Sequence, residues 1–267
     1  MNRKPAVAGM FYPGNPDDLK HVVREFVDTK AAKEKAMAIV SPHAGYDYSG
    51  SVAGKVFSSI ELPGNFIILC PNHTGYGARA AIMDSGTWET PLGKAQIDSE
   101  LAQLLRDNSS ALETDADAHR REHSLEVQLP FLQYLLTDFS FVPICLSTLG
   151  YTELKEIGEG IASSINEYEK PVLIVVSSDM THFKDADFAK KQDMKAIKMM
   201  EDVNPRGLYD TVRNEDISMC GFAPAVCALE ACVRLGARRG KLIMYTNSGD
   251  TTGDYRSVVA YAGLVIA

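Results

Sequence analysis

Short, nearly unbroken apolar runs recur along the chain at residues 37–40, 66–70, 139–146, 172–176, 242–245 and 258–266. Runs of this kind suit strands buried on both faces, because a strand with one wet face alternates apolar and polar residues instead. Helical stripes lie between them. Leu19, Val22, Val23, Phe26 and Val27 recur at helical spacing behind Asn15 as N-cap and Pro16 at the first helical position, with Asp17 and Asp18 complementing the helix dipole. Leu101, Leu104 and Leu105 form another stripe, and Leu154, Ile157, Ile161 and Ile165 a further one. Alternation of the two patterns predicts βαβ units and an α/β fold: a mostly parallel central sheet covered by helices on both sides. The chain carries no internal repeat, low-complexity tract or Pro/Ser-rich linker, so residues 1–267 are expected to form a single domain.

Composition narrows the function classes. The chain has 27 Lys+Arg against 35 Asp+Glu, a formal net charge of −8, and its tight basic groups are the pairs Arg120-Arg121 and Arg238-Arg239. Nucleic acid and anionic membrane both require clustered cations, so neither is expected as a partner. The N-terminus has no sustained apolar segment of the signal-peptide type, and no stretch approaches the roughly 18 apolar residues of a membrane span; a cytoplasmic protein is expected. Five cysteines without a CxxC pair argue against a disulfide framework or a structural zinc site. No GxGxxG, GxxxxGK or GxSxG occurs, which removes the motif support for nucleotide-binding and serine-hydrolase readings.

The polar residues that follow the apolar runs carry the chemistry. Residues 38–40 lead into Ser-Pro-His43, residues 67–70 into Pro-Asn-His73, and residues 174–176 into Ser-Ser-Asp179-Met-Thr-His182. Ligands of open α/β sheets bind outside the carboxyl ends of the strands, so these side chains are expected to share one site. Two histidines on separate strands with an anionic third ligand would suit non-haem Fe(II), and zinc would accept the same set. Asp179 or Cys220 could supply the third ligand. Cys220 precedes a segment, 223–234, that reads as a helix with Pro224 in its first turn, and a helix N-terminus favours thiolate. Cys70, Cys145, Cys227 and Cys232 read as small buried residues. His123 sits between Glu122 and Glu126 on an expected helix, either as an acid/base group at the site or among ordinary surface charges. His21 and His119 read as surface residues without a role, and Gly249 and Gly253 as turn residues between the last two strands.

Taken together, Ala8-Gly-Met-Phe-Tyr-Pro13, Ser41-Pro-His-Ala-Gly-Tyr46, Pro71-Asn-His-Thr-Gly75, Trp88-Glu-Thr-Pro-Leu-Gly93, Glu122-His-Ser-Leu-Glu-Val-Gln-Leu-Pro-Phe131, Ser178-Asp-Met-Thr-His-Phe183 and Cys220-Gly-Phe resemble the Memo family. The resemblance implies a single-domain α/β/α sandwich similar to the LigB-type, class III extradiol dioxygenases, which open catechol rings with Fe(II) and dioxygen. It implies His43, His73 and Cys220 as metal ligands, with Cys220 where the dioxygenases carry Glu, and Asp179 and His182 as polar groups lining the same pocket; His123, from the reading of its own segment, is a candidate acid/base group beside them. Replacing a hard carboxylate by a soft thiolate changes the metal preference, so copper or zinc competes with Fe(II). Phe11 stands where many relatives carry Trp, which weakens any role that depends on an indole there. Three functions stay open on this basis: a redox-active metal-binding protein acting on a small molecule, an extradiol-type dioxygenase, and a non-catalytic cleft for a peptide or anion. Prokaryotic members are associated with radical-SAM and AMMECR-type proteins, an expectation of partners by analogy only.

Overall fold

A computed structural model describes residues 2–267. Strand β1 (Asn2–Arg3) is followed by α1 (Pro16–Phe26), β2 (Ala38–Ser41), α2 (Tyr46–Ser58) and β3 (Asn65–Pro71). Short strands β4 (Ala80–Ile82), β5 (Thr87–Thr90) and β6 (Gly93–Ile97) lead to α3 (Ser99–Asn108), β7 (Glu113–Thr114) and α4 (Asp117–Arg120). A 3-10 turn, Glu126–Gln128, runs directly into α5 (Leu129–Leu135), then β8 (Ser140–Leu146), α6 (Tyr151–Glu167), β9 (Val172–Ser177) and β10 (His182–Lys184). The chain closes with α7 (Ala186–Glu201), α8 (Pro205–Asn214), α9 (Phe222–Leu235), β11 (Gly240–Asn247), α10 (Gly249–Thr252) and β12 (Val258–Ile266).

The sheet runs β1-β5-β6-β8-β3-β9-β2-β12-β10, with β11 on β12 and β4 on β8. Its centre, β6-β8-β3-β9-β2, is parallel, and the hairpin-type partners β5, β12, β11, β10 and β4 join antiparallel. Strands β8, β3, β9 and β2 are apolar on both faces, whereas β6 exposes Lys94 and Gln96. Val40, Leu69, Ile144 and Val176 pack into a core with α3, α6, α7, α8 and α9. Ile39, Ile68, Phe141 and Val175 turn the other way, onto α1, α2 and α5. A sheet between two helical layers is the α/β/α sandwich expected from the apolar runs.

Several elements lie outside the expected pattern. Helix α2 contains Gly50 and Gly54, which lower helix propensity. Its tertiary packing explains both: a Cβ on Gly50 would lie 2.3 Å from the Phe26 ring, and one on Gly54 would lie 2.3 Å from the Phe26 carbonyl oxygen. Close approach of α1 and α2 outweighs propensity here. The segment around His123 is not helical, contrary to expectation; residues 121–125 form a bend and turn before the 3-10 turn. Gly249 and Gly253 do lie between β11 and β12, with Gly253 ending α10 at φ 77°. Among the described residues no helix is long and apolar enough to cross a membrane.

Candidate metal and proton-transfer site

Three adjacent parallel strands bring the expected residues to one edge. In register, Val40 pairs with Val176 and Leu69 pairs with Val176 from the other side, so β2, β9 and β3 reach the same level together. His43, Asp179 and His73 follow within a few residues. The convergence therefore comes from the sheet and needs no special loop structure.

His43 is buried, and its orientation can be deduced from the hydroxyl beside it. Ser177 Oγ donates to the Ser124 carbonyl at 2.6 Å and accepts from Gln128 Nε2 at 2.9 Å. A hydroxyl has one proton, so its contact with His43 Nδ1 at 2.9 Å has Nδ1–H as donor. The lone pair of His43 Nε2 then faces Cys220 Sγ at 3.2 Å and Asp179 Oδ2 at 3.9 Å. Burial, followed by the nearby His123 and His73, holds the His43 imidazole well below its ordinary pKa, so it is neutral near pH 7.

His73 is oriented by a carboxylate. Its backbone N–H donates to Glu122 Oε2 at 2.6 Å and its Nδ1–H to Glu122 Oε1 at 2.9 Å, which leaves Nε2 with a free lone pair. Burial alone would raise the Glu122 carboxyl, but hydrogen bonds from His73 and Ser124 prevail and hold it at about 2. The His123 ring stacks on His73 at 4.7 Å between centroids and meets His43 edge-on at 5.5 Å, with Phe11 packed on it at 4.7 Å. Desolvation lowers the His123 pKa as well. One ligand-capable atom from each of His43, His73 and His123 lies within 4.8 Å of the others.

Cys220 lies beside this trio and touches His43 alone among its imidazoles. It reaches that place because Gly221 approaches β9 closely: a Cβ there would come 2.5 Å from the Ser177 carbonyl oxygen. The start of α9 was expected to favour thiolate. Burial, reinforced by the Asp179 charge, instead pushes the thiol pKa up, so without a cation beside it Cys220 is protonated and its S–H points at a neutral imidazole. Asp179, 4% exposed, accepts the His43 backbone N–H at 2.7 Å; burial outweighs that bond and raises its carboxyl to about 6. His182 donates Nδ1–H to the Ser218 carbonyl at 3.0 Å and its backbone N–H to Ser218 Oγ at 2.8 Å, leaving Nε2 free.

Other residues depart from their expected surroundings. His119 is fully buried, not on the surface, and its ring packs edge-on against Trp88 at 5.8 Å with both ring nitrogens unpartnered. Glu126 does not share a face with His123; it turns inward to Arg3, Tyr12 and the Ala6 and Val7 amides. Of the residues that orient the histidines, Ser124 and Gln128 lie in the family-like block 122–131 without an assigned role, and Ser177 and Ser218 gave no signal in the sequence.

The Memo-like protein family model matches residues 3–265. The chain is 42% identical over 265 residues to a MEMO1 family protein of Aquifex aeolicus, covering 98% of each chain. It is 38% identical over 279 residues to a MEMO1 family protein of Methanopyrus kandleri, covering 99% of each. Among solved structures, an uncharacterized protein from Escherichia coli K12 superposes with a TM-score of 0.59 at 15% identity, over 86% of this chain and 100% of that one, a likeness of fold.

Proposed function

The chain belongs to the Memo family, and on that premise we propose that it binds a transition-metal cation at the strand ends and acts there on a small molecule. The observation that carries this reading is the trio of imidazole nitrogens within 4.8 Å of one another. The donor set fits a cation. His43 and His73 each have Nδ1–H tied to a neighbour, which fixes the tautomer and presents Nε2 as a ligand, the arrangement that metal-binding histidines ordinarily have. Neutral imidazole is the binding form, and burial supplies it at His43 and His123.

His43 and His73 would be ligands, with His123 completing the compact set and Cys220 a further soft donor beside His43. Imidazole suits iron, copper and zinc, and a thiolate donor shifts preference toward copper and zinc. When bound, the cation supplies Lewis-acid chemistry and, if redox-active, electron transfer. Asp179, poised at about 6, holds or releases a proton beside His43, and His182 Nε2 is free to accept or donate one at the same edge. With a redox metal bound, the site would carry oxidoreductase chemistry on a small substrate.

Metal content after anaerobic loading with Fe(II), Cu(I) or Zn(II) tests the reading. His43→Ala and His73→Ala are expected to weaken binding by about a hundredfold or more, since even outer partners of ligands are worth 10–100-fold. Cys220→Ser is expected to retain zinc and lose copper selectivity. Unchanged stoichiometry in both histidine variants would sink the ligand assignment.

A further inference from the structure

The bend that presents Glu122 and His123 has no regular structure of its own, yet a single side chain from the other end of the sequence spans it. Arg3, 5% exposed, donates Nη2–H to the Glu122 carbonyl at 2.6 Å and Nε–H to the His119 carbonyl at 3.0 Å, and pairs through Nη1 with the Glu126 carboxylate. Its guanidinium lies over the Trp88 ring at 4.1 Å, which fixes its plane. Glu126 is fully buried and is saturated by the Ala6 amide at 2.7 Å, the Val7 amide at 3.1 Å and the Tyr12 hydroxyl at 2.5 Å.

We propose that Arg3 is a positioning residue for the imidazole cluster: by gripping the bend at His119, Glu122 and Glu126 together, it holds the Glu122 carboxylate under His73 and the His123 ring against it. The planar fork of a guanidinium can serve several acceptors in fixed directions, and an ammonium cannot. The bend is also tied at Ser124, whose carbonyl accepts from Ser177 Oγ at 2.6 Å, but the His119 and Glu122 carbonyls are taken by Arg3. Ser124 donates to the Glu122 carboxylate from within the bend and does not reach those two carbonyls. The consequence for metal affinity rests on the metal-binding reading above; the consequence for His73 orientation does not.

Arg3→Lys keeps a cation for Glu126 but gives up the forked grip on the two carbonyls. Tyr12→Phe removes one hydrogen bond from the same carboxylate and leaves the bend's carbonyl contacts intact. Each full-length variant is compared by thermal midpoint, by Co(II) affinity in chelator competition, and by the His73 Nδ1–H resonance in nitrogen-15 imidazole spectra of metal-free protein, assigned with His73→Gln. Arg3→Lys is expected to weaken Co(II) binding about tenfold, within the range for ligand-supporting residues, and to broaden or lose the Nδ1–H resonance. Tyr12→Phe is expected to lower the midpoint comparably and leave affinity and resonance as in the wild type. An unchanged resonance in Arg3→Lys, or equal effects of the two variants on affinity and resonance, overturns the proposal. Should the wild type take up no Co(II), the metal reading fails, and the resonance alone decides the role of Arg3.

Discussion

The Arg3 clamp and the strand-end cleft lie on either side of the same bend and treat buried charge in opposite ways. In the clamp, the Glu126 carboxylate meets a guanidinium, two amides and a hydroxyl, so its charge is fully answered. In the cleft, Asp179 is buried with a neutral imidazole and a protonated thiol for neighbours, and its carboxyl rises to about 6. A protein can retain unanswered polar groups only where the rest of the fold supplies the stability, and such groups gather where they are used. The clamp answers its charge within the fold, and the metal-binding reading proposed above gives the cleft's groups their partner.

The sharpest way to break this contrast is Glu126→Ala. It strands Arg3 and two amides in the interior, and loss of one partner of a buried ion pair costs about 3–5 kcal/mol, to be read from urea unfolding. A loss of under about 1 kcal/mol would mean that the clamp does not carry its charges as described.

His119 offers the next largest effect. Burial first, and Arg3 second, lower its pKa to about 4. A histidine depressed below its unfolded value of about 6.5 stays neutral when folded while the unfolded chain takes up a proton, so its effect on stability is nil above about pH 6.5 and grows as pH falls toward 4. The loss has a limit of about 3.5 kcal/mol at about 1.4 kcal/mol per pKa unit. Replacing it, as in His119→Phe, is expected to flatten the fall in stability between pH 6.5 and 4; an identical slope in both proteins would show that the ring protonates freely when folded.

The smallest effect belongs to the cleft. Asp179→Asn keeps an oxygen for the His43 amide and removes the buried charge, so metal-free protein at pH 8 is expected to gain about 1 kcal/mol, because a buried charge with no cation against it is a standing penalty. Destabilisation by this variant would place Asp179 with Glu126, as a structural charge.

Much of the architecture was legible in the sequence because a strand buried on both faces must be apolar throughout, and the runs at 66–70, 172–176 and 258–266 fall within β3, β9 and β12. Short or polar strands such as β10, which begins at His182, carry no such pattern and were missed. The placement of His43, Asp179 and His73 at one edge was likewise readable, since parallel strands end together. The surroundings of each side chain were not. Glu126 looked like a neighbour of His123 because helical spacing was assumed where the chain bends, and His119, on α4, looked like a surface histidine because its contact with Trp88 is distant in sequence.

What local sequence decided, then, were the strands, the helices with strong stripes and the edge at which the polar residues emerge, all of which follow from nearest-neighbour chemistry and the period of apolar residues. Only the tertiary structure decided that His123 joins His43 and His73 while Cys220 contacts His43 from the side. The physical reason is distance along the chain: Arg3 and Glu126 are separated by 123 residues and Cys220 and His43 by 177, and no periodicity in a sequence reports contacts of that span.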